Sequence, residues 1–217
     1  MATFNSRFEP VSFPQIRTSV EIPIEIGPGV VLNTVVHSFS GLNDSLEHLA
    51  IVAGKINTEE STIVRIHSEC LTGDVFGSLR CDCGAQLREG LQLLAAEGGI
   101  VLYMRHEGRG IGLYRKLDAY VLQDQGINTF AANRCLGLPA DARDYRASAE
   151  MLSAIGVRNV RLLSNSPDKA LQLHRYGISV VQQIPTGVFL TSANLQYMKA
   201  KVDISGHSIQ LPEHAKL

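Results

Sequence analysis

Tryptophan is absent from the 217 residues, and aromatic side chains make up only 6% of them. A platform that stacks single-stranded bases needs more rings than that, which argues against nucleic acid as a partner. A dominant charge is missing as well: 20 Lys and Arg stand against 21 Asp and Glu, for a net charge of −1 and a pI near 6.6. That balance disfavours broad attachment to nucleic acid or an acidic membrane, so any anionic ligand must be held by local groups. No segment approaches the ~20 apolar residues of a membrane span. The start, MATFNSRFEP, has neither a basic and then apolar run nor a small-residue cleavage site, and a cytoplasmic protein is expected. Cysteine is scarce, with four in the chain, three of them clustered, which fits a reducing compartment better than a disulfide framework.

What is present is patterned. Residues 1–16 carry Pro10 and Pro14 without a period and read as an extension, while 17–207 read as one domain and 208–217 as a flexible tail. Thr18–Ile26 alternates apolar and polar residues, Gly27-Pro28-Gly29 makes a turn, and Val30–Val36 continues, which predicts a β-hairpin. Strands are expected at His48–Ala53, Ser61–His67, Ile100–Met104, Val160–Leu163 and Ile178–Ile184. Helical spacing marks Gly84–Ala96, Leu113–Gln125, Arg146–Ile155, Asp168–Tyr176 after a Pro at the first helical position, and Asn194–Asp203. Strand, helix and strand in succession predict a single α/β domain, a mixed β-sheet between helical layers with an N-terminal β-rich portion. Asn128–Tyr145 shows no period and reads as a long functional loop.

Chemistry concentrates in His67–Leu87, HSECLTGDVFGSLRCDCGAQL. Cys70, Cys81 and Cys83 are soft anionic ligands suited to Zn²⁺, and three of them leave the fourth tetrahedral position for water. Cys81 and Cys83 belong on a turn or strand end, with Gly84 expected to supply an unusual backbone angle. On cysteine count alone, buried inert thiols explain the cluster as well; its polar neighbours, among them His67, Glu69, Asp74, Arg80 and Asp82, argue for a metal. Arg105–Gly112, RHEGRGIG, offers uncovered backbone N–H groups and two guanidinium groups at a helix start, which suits phosphate. As a glycine-rich loop it equally suits a plain strand–helix connection, and Glu107 between two arginines favours a ligand. Asp141–Asp144 reads on composition as a solvated loop with a surface ion pair. Ser164–Lys169 is a helix start of the kind that most often binds nothing. Together these stretches suggest metal-assisted hydrolysis of a phosphorylated, nucleotide-like substrate.

In order, RIHSECLTGD, SLRCDCGAQL, RHEGRGIGL, KLDAYVLQDQG, ADARDY and RLLSNSPDK resemble the GTP cyclohydrolase II family, over about Ser61 to His207. The resemblance implies an enzyme that opens the imidazole ring of GTP, releasing formate and pyrophosphate to give 2,5-diamino-6-ribosylamino-4(3H)-pyrimidinone 5′-phosphate, the entry to riboflavin. It implies Zn²⁺ at the ring, Mg²⁺ on the substrate phosphates, and a homodimer. Cys70, Cys81 and Cys83 match the family's zinc ligands. Arg65, Ile66, His67, Ser68, Glu69, Gln86, Glu107, Gly108, Arg109, Thr129, Ser164 and Lys169 match its GTP-contacting positions. Asp141 matches a proposed general base, Arg143 a proposed nucleophile, and Tyr120 a tyrosine needed for the ring chemistry. A guanidinium is protonated at neutral pH, so charge stabilisation is the easier role for Arg143. Ala131, Arg134 and Ser164 depart from the common pattern without removing a catalytic group. Two alternatives stand beside the main reading: a paralogue that keeps the formyl group or serves a pteridine or azapteridine pathway, and a zinc-stabilised nucleotide-binding module without turnover.

Overall fold

Val20, Ile22, Ile24 and Ile26 alternate with polar residues, a period of two that puts them on one face of a strand. The computed structural model describes residues 13–139 and 141–206. The expected tail 208–217, most of the extension 1–16, Ala140 and His207 lie outside the described residues. The alternating stretch is β1 (Gln15–Gly27), which turns into antiparallel β2 (Val30–Ser40). Gly29 turns the chain at φ +71°, a conformation that glycine adopts without steric cost.

The remaining strands are β3 (Leu49–Ala53), β4 (Thr62–Ser68), β5 (Gly99–Met104), β6 (Asn159–Leu163) and β7 (Ser179–Ile184). They form one seven-stranded sheet in the order β1-β2-β3-β5-β4-β6-β7. Pairing is antiparallel from β1 through β3 to β5 and parallel from β5 through β4 and β6 to β7, a mixed sheet with a β-rich N-terminal part. Helix α2 (Cys83–Glu97) packs Leu91 and Leu94 against Ile63 and Val101 on one face. Helices α5 (Arg146–Ile155) and α6 (Pro167–Arg175) pack Met151, Leu152 and Leu173 against Val64, Ile66, Ile100 and Leu102 on the other. Helix α3 (Leu113–Asp124) follows β5, and α7 (Leu195–Ser205) ends the described chain.

Strand β4 carries most of the functional weight. It is buried from Thr62 to His67, yet a strand buried on both faces ordinarily reads as an apolar run, and Arg65 and His67 interrupt this one. Both share the Ile63 face, beneath α2. Gly90 of α2 makes room there, since a Cβ on it would lie 2.9 Å from Cδ of Arg65.

Two expectations change. The aperiodic stretch after Asn128 contains helix α4 (Thr129–Cys135), because seven residues are too few to display a period; its start is marked by Asn128, whose Oδ1 accepts the Ala131 N–H at 2.9 Å. A one-turn helix α1 (Leu71–Asp74) also follows β4 directly. If the sheet interior is packed as described, Leu102→Ala should cost about 2–5 kcal/mol, measured as a lower urea midpoint at unchanged slope.

Candidate active site

The carboxyl ends of β4, β5 and β6 open onto one cleft of about 1180 Å³, counting its mouth. The connection from β4 leads to β5 on one side, and the chain then crosses to β6 on the other, so the cleft lies where open α/β sheets bind ligands. Arg65 spans that junction, its Nη1 donating to the Leu163 carbonyl at 3.3 Å.

Cys70 caps α1, Cys81 lies in the following turn and Cys83 opens α2. All three are free thiols whose sulfurs lie within 4.8 Å of one another, with Cys70 and Cys81 Sγ 3.6 Å apart. Ligands around a tetrahedral zinc with Zn–S bonds of ~2.3 Å stand ~3.7 Å apart, so the donor set fits that ion. Among the described residues no fourth His, Cys or carboxylate joins the group. Gly73 lets the sulfurs gather: its Cβ would fall 2.8 Å from Cys81 Sγ and 3.1 Å from Cys70 Sγ. Gly84 serves close approach as well, not the unusual backbone angle anticipated for it. It is an ordinary helical residue, and a Cβ there would collide with the Gly73 carbonyl oxygen.

Buried Asp74 anchors this loop, accepting from the Cys70 N–H at 2.9 Å, from Tyr103 Oη at 2.9 Å and from His67 Nε2 at 3.1 Å. Burial lowers the His67 pKa against the opposing pull of Asp74. On the opposite flank Lys116 Nζ donates to Cys70 Sγ at 3.1 Å, Thr72 Oγ1 at 3.0 Å and Glu107 Oε1 at 2.8 Å. Hydrogen bonds from its two neighbouring thiols, and then the Lys116 charge, push the Cys70 thiol down, while the bond to Cys70 pushes Cys81 up to about 11.

A second group of candidate metal ligands, Asp44, His48 and His106, stands at the mouth of the same region. Its hydrogen bonds speak against a metal. The Arg105 N–H donates to His48 Nδ1 at 2.9 Å, so the ring proton sits on Nε2, which donates to Asp44 Oδ2 at 2.9 Å and has no lone pair for a cation. The pair secures the chain entering the glycine-rich loop.

That loop makes a tight turn over Glu107–Gly110 whose central residues are left-handed, Gly108 at φ +62° and Arg109 at φ +64°. A left-handed arginine is uncommon outside functional turns. The Ala142 N–H donates to the Arg109 carbonyl at 3.1 Å, which holds 141–143 beside it. Arg143 forks onto Asp141 through Nε and Nη2, and its Nη1 reaches Ser68 Oγ at 3.4 Å. Burial pushes the Asp141 carboxyl up, but Arg143 outweighs it and holds the group below the usual carboxylate range. Arg65 and Lys169 are different: both are buried, and neither has a carboxylate within ion-pair distance among the described residues. Burial, then Arg65 and Arg143, force the Lys169 ammonium well below its ordinary pKa; its Nζ donates to the Ile66 carbonyl at 2.7 Å. Polar atoms without partners gather here too: Arg65 Nε, His67 Nδ1, His106 Nδ1 and Tyr145 Oη.

A family model described as GTP cyclohydrolase II matches residues 18–185. The chain is also 47% identical to a GTP cyclohydrolase-2 of Psychromonas ingrahamii over 199 residues, 91% of this chain and 98% of that one. The chain belongs to the GTP cyclohydrolase II family. A GTP cyclohydrolase-2 of Vibrio cholerae is 44% identical over 91% of this chain and 99% of its own length. The riboflavin biosynthesis protein RibBA of Nocardia farcinica is 51% identical over 79% of this chain but only 42% of its own length.

Among the residues matched to the GTP cyclohydrolase II pattern, Arg65, His67, Ser68, Glu69, Gln86 and Arg109 line the cleft, as do Gly108, Arg143, Ser164, Lys169 and Tyr120. Ile66 contributes through its carbonyl, and Asp141 through Arg143. Thr129 begins α4; its side chain lies outside the described residues. Glu107 faces the cleft's wall, its Oε2 accepting the Leu71 N–H at 2.7 Å and its Oε1 held by Lys116, so it ties the glycine-rich loop to the cysteine loop. Sequence reasoning missed Lys116, Tyr197 and Lys201, all of which line the cleft. Lys201 Nζ pairs with buried Asp82 at 2.6 Å, and Asp82 in turn accepts from Gln86 Nε2 at 2.7 Å. Two spacings of four carried the signal, Lys116 with Tyr120 and Tyr197 with Lys201, each pair on one helix face. When zinc is added to the purified protein and the excess dialysed away, elemental analysis should find it bound to Gly27→Ala, where an added Cβ meets nothing within 4 Å, and not to Gly73→Ala.

Proposed function

We propose that the chain is a zinc-dependent GTP cyclohydrolase II that opens the imidazole ring of GTP and releases formate and pyrophosphate, with 2,5-diamino-6-ribosylamino-4(3H)-pyrimidinone 5′-phosphate as product. The observation that carries this is the pairing, in one cleft, of three thiols at zinc spacing with two buried basic side chains, Arg65 and Lys169, that have no carboxylate within ion-pair distance among the described residues. A buried charge without a counter-charge is costly, and a triphosphate supplies the counter-charge. Zinc, when bound by Cys70, Cys81 and Cys83, makes a water acidic enough to attack carbon near neutral pH. Arg143 remains a cation, since Asp141 and Tyr145 outweigh its burial, and so it stabilises charge on the departing pyrophosphate rather than acting as a nucleophile. Asp141 aims that guanidinium. Tyr120, whose phenol is pushed up mainly by burial, stays protonated and orients the opened formamide for its second hydrolysis.

Mg²⁺ belongs with the substrate phosphates in this reading, beside Arg109, Ser164 and Lys169. The relatives' names support a place in riboflavin biosynthesis. Exposed apolar residues on the edge hairpin, Val20, Ile22, Val30 and Val31, support a homodimer. No helix among the described residues is long and apolar enough to cross a membrane, and a cytoplasmic enzyme fits this reading. The open three-ligand group weighs against a non-catalytic zinc module.

Incubated with GTP, Zn²⁺ and Mg²⁺, the protein should release formate and pyrophosphate in equal amounts; intact GTP beside full zinc occupancy would overturn the reading. Tyr120→Phe should let a product heavier by one formyl unit accumulate, seen by mass spectrometry. Lys169→Met should raise the KM for GTP far more than it lowers kcat.

A further inference from the structure

Arg80 immediately precedes Cys81, and its side chain reaches across the cleft wall to α3. Its guanidinium carbon lies 4.3 Å from the centroid of the Tyr120 ring, close enough for a cation–π contact. The fork is fixed at the same time: Nη2 and Nη1 donate to the Asp124 carboxylate at 2.7 and 3.2 Å, and Nη2 lies 3.5 Å from the Tyr120 carbonyl oxygen. Lys116, one turn before Tyr120, places a second cation 5.7 Å from the same ring. Asp124 is 65% exposed at its side chain, and an ion pair so solvated adds little to stability. Its geometry is nevertheless specific. A bidentate fork holds the guanidinium in one orientation, with its carbon over the ring.

We infer that Arg80 is a positioning residue for Tyr120, fixing the phenol relative to the cysteine loop so that the formyl group is removed rather than retained. The inference rests on the role given to Tyr120 under the proposed function. In the step concerned, water adds to the formamide carbonyl and the carbon–nitrogen bond breaks. The added oxygen leaves in formate, and the freed amine nitrogen takes the proton. Water is the only co-reactant. A ring that can swing away from the metal-ligand loop leaves the opened formamide poorly oriented, and the formylated product departs before the second hydrolysis.

The test reads the ratio of formate to pyrophosphate released from GTP, which a loss of folded enzyme does not change. Arg80→Ala should lower that ratio by roughly threefold or more, the scale set by one lost cation–π contact. Arg80→Lys keeps the charge but loses the fork and the planar face, and it should not restore the ratio. Asp124→Ala leaves the cation in place, frees its orientation and should lower the ratio in the same direction; it also serves if Arg80→Ala fails to fold or to hold zinc. Formate and pyrophosphate falling in equal proportion in these variants would overturn the inference, since Arg80 would then only support the loop. Tyr120→Phe separates the two levels. If it lowers the ratio while the Arg80 and Asp124 variants do not, this inference fails alone; if it leaves the ratio at unity, the role of Tyr120 fails and this inference with it.

Discussion

Everything at this site depends on two stretches of backbone being allowed to touch. Cys70 rides on the end of β4 and Cys83 on the start of α2, and their sulfurs meet because Gly73 and Gly84 carry no side chain where the two segments cross. Asp74 and Lys116 then hold the loop from either side, one through a backbone N–H and the other through a sulfur. Glycine here removes an obstacle and supplies no special angle. That makes the arrangement rigid, since helical and strand geometry on each side leave little freedom to relax around an added methyl group.

The same strand that leads to Cys70 also delivers Arg65 and His67, and their alternation on one face explains how the thiols and the buried basic groups come to share a cleft. Ile63 packs under α2 at the near end of that face, and two residues later the face turns polar. Hydrophobic burial fixes the strand's register, and the register sets where the charges point. A slip of one residue would send both polar groups into the opposite core, against Met151 and Leu152.

Much of this was legible beforehand. Alternation in TSVEIPIEI and the apolar run IVLYM announced their strands, and the cysteine spacing announced that three sulfurs meet, because these patterns are local. Helix α4 escaped notice because a seven-residue helix completes only two turns; its Asn128 cap was the readable trace. Lys201 and Asp82 were not legible as partners, since 119 positions separate them and only tertiary packing of α7 brings them together. Glu107 was legible as part of the glycine-rich loop but not in its orientation, which depends on the Leu71 N–H that α1 presents. The bond between His48 and Asp44 was not legible in its orientation either, since one distant backbone N–H, from Arg105, sets the tautomer of the ring.

Neither Arg65 nor Lys169 has a carboxylate within ion-pair distance among the described residues, and burial, then Arg65 and Arg143, push the Lys169 ammonium well below its ordinary pKa. An anion seated beside the two side chains favours the protonated lysine, so anion binding there is coupled to proton uptake.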